Sequence, residues 1–146
     1  MSVERLATID DLKPVVFRQF SDPRGVLVPI ELSQSIPFKV VRFFWIYNVP
    51  AGAIRGSHAH KACHQYMICA VGSVQVDAFD GHTERVITLT PGQALHIPPA
   101  ILTIERFQTS ESVLMVFCDK PFEADDYLDD RAALVAHRQQ IVKGAP

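Results

Sequence analysis

Three histidines lie within seven residues in the segment IRGSHAHKACHQ, which spans residues 54–65. His58 and His60 are separated by a single residue. Because residues two apart share a face of a β-strand, we expect these two imidazoles to point the same way. His64 adjoins Gln65 and is expected to point elsewhere. A same-face histidine pair is typical of a metal site, of an acid–base site or of the wall of an inert cavity.

The metal hypothesis can be tested by counting ligands. The segment resembles the first cupin motif, in which two histidines precede a glutamate, but Gln65 stands at the glutamate position. The histidine of the second cupin motif falls on Thr103. A neutral amide and a hydroxyl are poor ligands for a divalent ion, so the sequence predicts no metal site.

Proton transfer and an inert cavity both remain open for the histidine pair. Neutral histidine is the side chain best suited to move protons near neutral pH. Arg55 and Lys61 flank the pair and would supply positive charge for an anionic substrate, the planar guanidinium being suited to phosphate. In an inert cavity, buried cationic and imidazole groups would raise the free energy of the folded state without a compensating partner.

Composition and charge exclude several classes of function. The chain has 146 residues, of which 48% are hydrophobic and 21% charged, as in a globular domain of ordinary size, and we expect one domain over residues 1–146. The net charge of −2 gives no indication of a basic surface that would bind nucleic acid. No apolar run approaches the roughly 18 residues of a membrane span, and the start MSVERLATIDD is too acidic for a signal peptide, so a cytoplasmic protein is expected.

The three cysteines form no recognisable framework. They are odd in number and include no C-x-x-C pair, so neither a set of disulfides nor a structural zinc site is indicated. Cys69 and Cys118 lie in apolar runs and are expected to pack as small hydrophobic residues.

Short apolar runs separated by turn-forming residues fill the chain up to residue 118. They predict an all-β sandwich or barrel. The candidate strands are Pro14–Phe20, Val26–Leu32, Lys39–Val49, Gln65–Val71, Val74–Phe79, Arg85–Leu89, Ala94–Ile97, Ile101–Phe107 and Val113–Cys118. The aromatic run from Phe43 to Tyr47 is apolar at every position, which favours a strand covered on both faces.

Only the C-terminal segment has a helical pattern. Leu134, His137 or Arg138, and Ile141 fall at helical spacing, and Asp129 or Asp130 is placed to cap the helix.

Several segments resemble one enzyme family. The run R-G-S-H-A-H-K followed by Gln65 is similar to the R-G-x-H-A-H-K-x3-Q signature of the cupin-type nucleotide-sugar 3,4-ketoisomerases, which are WxcM-like proteins. The segments D-P-R-G-V-L with Glu31, K-V-V-R before the aromatic run, and F-E-A-D-D-Y-L near residue 125 also resemble family segments. The similarity covers about residues 13–130.

The resemblance implies a fold and a reaction. The fold is a cupin-like double-stranded β-helix, or jelly-roll barrel, with a short C-terminal helix. The substrate is a dTDP-linked 4-keto-6-deoxyhexose, whose ketone moves from C4 to C3 through an enediol without a metal or an organic cofactor. The resemblance also implies a homodimer to which the N-terminal strands contribute.

The resemblance assigns roles to particular residues. His58 and His60 are the acid–base pair, with His58 favoured as the base at C3. Arg55 and Lys61 contact the diphosphate or orient the sugar, Gln65 holds a histidine tautomer or a sugar hydroxyl, and Arg24 is a further anion-binding candidate.

At two places the chain departs from the family pattern. A tyrosine is common early in the aromatic strand, where this chain has Phe44 and Trp45, and Trp-His is common where it has Leu102-Thr103. Tyr47 and Thr103 are therefore candidates for contact with the sugar. The departures leave a non-catalytic sugar-nucleotide-binding protein as the alternative, ahead of a metal-dependent cupin enzyme.

Overall fold

The computed structural model describes residues 5–144, and β-strands dominate it. The strands are β1 (Val15–Val16), β2 (Phe20–Asp22), β3 (Gly25–Leu27), β4 (Arg42–Ile46), β5 (Ile54–His60), β6 (Gln65–Val71), β7 (Val74–Phe79), β8 (Glu84–Leu89), β9 (Gln93–Ile97), β10 (Leu102–Phe107), β11 (Val113–Cys118) and β12 (Tyr127–Leu128). The helices are α1 (Leu32–Ser35) and α2 (Arg131–Gly144), and 3-10 turns occupy Ile9–Asp11 and Ala124–Asp126.

Two five-stranded antiparallel sheets enclose the core. One sheet has the order β1-β9-β6-β11-β4 and the other the order β12-β5-β10-β7-β8, while β2 and β3 form a separate hairpin. Side chains alternate along the strands, as on β7, where Val74, Val76 and Ala78 point inward. The inward side chains of both sheets form one apolar cluster, so the predicted all-β jelly-roll barrel with a C-terminal helix is confirmed.

The helix α2 agrees with its predicted pattern. Asp130 caps it, since its Oδ1 accepts a hydrogen bond of 2.7 Å from the backbone N–H of Ala133. Leu134 is fully buried against the second sheet with Leu102 and Leu128. Within residues 5–144 no helix combines the length and the apolar character that crossing a membrane requires.

The aromatic strand differs from its prediction. β4 alternates, with Phe44 and Ile46 partly buried and Phe43, Trp45 and Tyr47 exposed. The expectation of cover on both faces is wrong for the single chain, because β4 is an edge strand whose outer face no other segment of residues 5–144 buries. Phe43 and Trp45 instead stack on each other, with ring centroids 5.7 Å apart.

Several boundaries also differ from the sequence-based expectations. The expected strand over 14–20 is divided between β1 and β2, and the one over 39–49 is confined to β4. The expected strand over 26–32 stops at Leu27, and α1 follows from Leu32. The histidine segment, which is not among the candidate strands, forms β5 from Ile54 to His60.

Candidate active site

A β-bulge in β5 sets the direction of the site's side chains. Arg55 pairs with Glu105 on β10 and His58 pairs with Thr103, so the two strands are one residue out of step between these pairs. Ser57 is the extra residue, and both Gly56 and Ser57 have positive φ, +82° and +69°. Directly paired residues share a face, so Arg55 and His58 point to the same side, although strict alternation would have separated them.

The side to which they point is a cavity of about 200 Å³ between the two sheets. His58 lies on its wall and is half-buried, whereas Arg55 is exposed. The lining is otherwise largely apolar, which is typical of a small-molecule site with a few placed polar groups. The lining residues are Phe44, Ile46, Arg55, Gly56, His58, Gln65, Met67, Glu105, Leu114, Val116 and Tyr127.

His60 is held by a carboxylate from a distant part of the chain. Its Nδ1 lies 2.9 Å from Oδ2 of Asp126, and both side chains are at least nine-tenths buried. The Asp126 carboxylate also accepts hydrogen bonds from the backbone N–H groups of Ala62 (2.8 Å) and Cys63 (3.3 Å). With Nδ1 donating to Asp126, the lone pair of His60 is on Nε2, and this buried atom has no hydrogen-bond partner among residues 5–144.

Tyr127 joins the two histidines. It pairs with His60 across β12 and β5, and its ring centroid lies 4.8 Å from that of His58 and 4.5 Å from that of His60. The two imidazole rings are 5.3 Å apart and nearly perpendicular, at 86°. The three rings thus form a compact cluster that continues from the cavity wall into the interior.

Both imidazoles are kept neutral by their surroundings. Burial lowers the pKa of His58, and the neighbouring His60 lowers it further. Burial also lowers the pKa of His60, and this effect exceeds the opposing attraction of Asp126. At neutral pH each ring therefore has a free lone pair and can accept a proton.

Glu105 is a buried carboxyl group on β10, the strand that pairs with β5 in the same sheet. It is 4% exposed, and its Oε1 accepts a hydrogen bond of 2.6 Å from the Thr103 hydroxyl. Its Oε2 lies against Gly56, where the Cβ of any other residue would collide with it. Burial raises the pKa of Glu105 to about 7, against the weaker effect of the Thr103 hydrogen bond.

The donor set does not fit a cupin metal. Gln65 and Thr103 lie at the positions where the cupin motifs place a carboxylate and a histidine, and the Thr103 hydroxyl is already donated to Glu105. A different group, His60, Cys63 and Asp126, brings its ligand atoms within 4.8 Å of one another. There, however, the imidazole and the carboxylate are hydrogen-bonded to each other and to backbone N–H groups. The Nδ1 of His60 and both oxygens of Asp126 are thus already engaged in hydrogen bonds, and no step of the reaction is assigned to a metal.

The predicted site residues fall into two groups. His58, Arg55 and Gln65 line the cavity, and Thr103 is buried beside His58. His60 lies directly behind them. The other three do not line the cavity. They are Lys61, which is exposed at the end of β5, Tyr47, whose side chain is on the outer face beyond β4, and Arg24, which is at the tip of the β2–β3 hairpin and paired with Asp22.

Sequence reasoning missed four residues of this site. Three of them are Asp126, Tyr127 and Glu105. The fourth is Arg42, whose charge lowers the pKa of His60 and whose guanidinium lies 3.6 Å from Cys118 Sγ. Arg42 also helps to lower the pKa of that thiol, after the larger effect of Cys63. The acidic segment around Asp126 was recognised only as a resemblance, and no local signal pointed to Glu105.

Comparison with known proteins identifies the family. Residues 10–139 match the family described as WxcM-like, C-terminal (FdtA). The chain belongs to this family. The family prediction made from the histidine segment is therefore confirmed.

Relatives of known function agree with this assignment. Over 117 residues the chain is 34% identical to TDP-4-oxo-6-deoxy-alpha-D-glucose-3,4-oxoisomerase of Aneurinibacillus thermoaerophilus, with 80% of this chain and 84% of that protein covered. The sugar 3,4-ketoisomerase QdtA of Thermoanaerobacterium thermosaccharolyticum, solved in complex with TDP, is 28% identical with a TM-score of 0.84, covering 91% of this chain and 98% of its own. A 3,4-ketoisomerase of Helicobacter canadensis is also 28% identical, with a TM-score of 0.80 and coverage of 86% and 96%.

Proposed function

We propose that the protein moves the ketone of a dTDP-linked 4-keto-6-deoxyhexose from C4 to C3. The observation that carries the proposal is the His58 imidazole, neutral and facing a cavity, with the Asp126–His60 pair next to it. A curated relative acts, by its name, on TDP-4-oxo-6-deoxy-glucose, and a QdtA variant was solved with TDP-4-keto-6-deoxyglucose. Together, the site chemistry and the family support this substrate class.

The reaction needs a base that faces the sugar. The C4 ketone acidifies the proton on C3, and His58 takes that proton to give an enediol between C3 and C4. Return of a proton to C4, with the carbonyl forming at C3, completes the isomerisation. His58 is the better placed of the two histidines for this role, because it lies on the cavity wall whereas His60 is buried behind it.

The remaining groups bind and orient. Asp126 fixes the tautomer of His60, which leaves Nε2 of His60 as an acceptor within the ring cluster. Arg55, exposed on the cavity lining, offers a guanidinium to the diphosphate, and Gln65 offers an amide to a sugar hydroxyl. The apolar side chains of Phe44 and Met67 exclude water from the reacting carbons.

NMR of the product tests the function directly. Incubation with dTDP-4-keto-6-deoxyglucose is expected to give the 3-keto isomer, and in deuterated water the solvent isotope should enter the ring at the reacting carbons. His58→Asn should abolish incorporation at C3. His82→Asn, a matched change at an exposed histidine, should leave both product and isotope incorporation unchanged.

The outcomes of this test separate the candidates. TDP binding by calorimetry without ketone migration would favour a non-catalytic sugar-nucleotide-binding protein instead. Full-rate isotope exchange in His58→Asn would reject His58 as the base while leaving the isomerase function in place.

The expected homodimer is also part of this proposal. Phe43, Trp45 and Tyr47 on the edge strand are exposed, as are Phe20 and Leu27 on the β2–β3 hairpin. So many exposed large apolar side chains support burial against a second copy.

In a homodimer, the hairpin is the element able to bring Arg24 to the partner's cavity, where it would bind the substrate's charge. Light scattering should give twice the mass of the chain, and Trp45→Glu should shift it toward the monomer. A monomeric wild-type protein would exclude both the dimer and this route for Arg24.

A further inference from the structure

Among residues 5–144, Glu105 is the one carboxyl group on the cavity lining, and the family resemblance does not account for it. It projects from the middle of β10 into the space between the sheets, pairs across the strands with Arg55, and lines the same cavity as His58. Its two oxygens are in different surroundings: Oε1 accepts from Thr103, and Oε2 lies at the β-bulge over Gly56. The carboxyl is therefore held in one orientation.

The position contains no cation to neutralise a carboxylate. Within residues 5–144, no Lys, Arg or His nitrogen lies within 4.0 Å of the Glu105 oxygens. A buried carboxyl without an ionic partner favours its neutral form, and burial accordingly raises its pKa to about 7. A neutral carboxyl has an O–H to donate, which a buried carboxylate lacks.

Among the other lining residues within 5–144, one more has an acidic O–H, the phenol of Tyr127, whose ring packs against both histidines. A phenol is in general a much weaker acid than a carboxyl group, and Thr103 has its hydroxyl directed to Glu105. Yet the isomerisation needs a proton delivered to one oxygen and removed from its neighbour. His58 transfers the proton on carbon, so a second group must transfer the proton between the two oxygens.

We propose that Glu105 is a catalytic residue that exchanges a proton with the two oxygens of the enediol. This role rests on the proposed ketoisomerase function. As His58 removes the proton from C3, the C3=C4 double bond forms and the C4 oxygen takes the proton of Glu105. The Glu105 carboxylate then removes the proton from the C3 oxygen, the C3=O bond forms, and His58 returns its proton to C4. Both residues end in their starting states, and no redox partner is consumed.

Gly56 and Thr103 are the positioning residues for this acid. The glycine leaves space for the Glu105 carboxyl at the bulge, and the threonine hydroxyl fixes the rotation of the carboxyl group. The groups whose charge reaches Glu105 are Arg55 and, weakly, Asp77. Arg55 lies on β5 and Asp77 on β7, so neither charge comes from β4 or β6, which belong to the other sheet.

The test compares Glu105→Gln with wild-type protein on dTDP-4-keto-6-deoxyglucose. Glutamine keeps the shape of the side chain but has no acidic proton to transfer, so kcat for ketone migration should fall about 10²-fold or more. Isotope exchange at C3 should fall less than migration does, because an enediol that cannot shift its oxygen proton returns to the starting ketone. Calorimetric TDP binding should stay within about threefold, which also shows that the variant is folded.

The pH profile of kcat distinguishes a catalytic role of Glu105 from a merely structural one, because a structural role would leave the profile unchanged. Wild-type kcat should decline above pH 7 as Glu105 ionises, and this decline should be absent in Glu105→Gln. Thr103→Val should move the decline to higher pH, since the lost hydrogen bond favours the carboxylate. Glu111→Gln, the same change on an exposed turn, should retain both the wild-type rate and the wild-type profile.

The possible failures are distinguishable. A wild-type protein that migrates no ketone rejects the function, and with it the role of Glu105. An active wild-type protein, together with Glu105→Gln at nearly the same rate and with the same alkaline decline, rejects the Glu105 proposal alone.

Discussion

Oδ2 of Asp126 lies 2.9 Å from Nδ1 of His60, although 66 residues separate them in the chain. The contact forms because β12, which directly follows Asp126, adds to the sheet beside β5 and pairs Tyr127 with His60. The same carboxylate accepts two backbone N–H groups, so its position is fixed before any substrate binds. The histidine pair is thus pre-oriented from behind the cavity.

Removing this acceptor should impair catalysis more than binding. In Asp126→Asn, the amide N–H can donate to Nδ1 of His60. This favours the tautomer with its proton on Nε2 instead of on Nδ1. We expect kcat to fall about 10²-fold with KM nearly unchanged. Steady-state kinetics checks this, with Asp125→Asn as the control on the neighbouring exposed carboxylate. Equal losses of kcat in the two variants would mean that the hydrogen bond to His60 is not the cause of the loss.

Gly56→Ala and Gly52→Ala form a matched pair for the β-bulge. Both glycines have φ of +82°, so each alanine should destabilise the fold by about 1–2 kcal/mol through backbone strain. The added Cβ is in open space at Gly52, whereas at Gly56 it meets the Glu105 carboxyl. Urea denaturation should therefore show the larger loss for Gly56→Ala. The same loss in both would contradict the close packing of Glu105 over Gly56.

Stability should fall as the pH rises through neutrality, because of Glu105. Its pKa is raised from 4.5 to about 7 in the folded protein, so the folded state binds the proton more tightly than the unfolded state. The contribution is complete below about pH 4.5 and is lost as the pH rises through about 7, by about 3 kcal/mol in all. Denaturation midpoints of wild-type protein and Glu105→Gln between pH 4.5 and 8 measure this loss of stability. If the midpoints of the two proteins changed with pH in parallel, Glu105 would not be its cause.

The titration of His58 should respond to its neighbour. Burial lowers its pKa and the adjacent His60 lowers it further, so NMR should place the His58 midpoint below the ordinary value of about 6.5. His60→Asn removes the second effect and should move that midpoint upward, whereas His82→Asn should not. The acid limb of kcat/KM in wild-type protein should have the His58 midpoint, since a protonated imidazole cannot act as the base.

The local pattern of the sequence predicted a good part of this protein. The turn-punctuated apolar runs predicted the barrel, and the two-residue spacing of His58 and His60 predicted neighbouring rings, which lie 5.3 Å apart. The Asp130 cap and the apolar side of α2 were likewise visible, because helix caps and helical periodicity depend on near neighbours in the chain.

The tertiary structure decided which side chains meet at the cavity. Strict alternation would have turned Arg55 away from His58, but the bulge at Ser57 brings both to one face. Lys61, next to His60 in sequence, is exposed at the strand end. Asp126 and Glu105 reach the site only through the pairing of β12 and β10 with β5. Residue types and short spacings are local properties of the sequence, whereas bulges, edge positions and strand partners are set by the packing of the whole barrel.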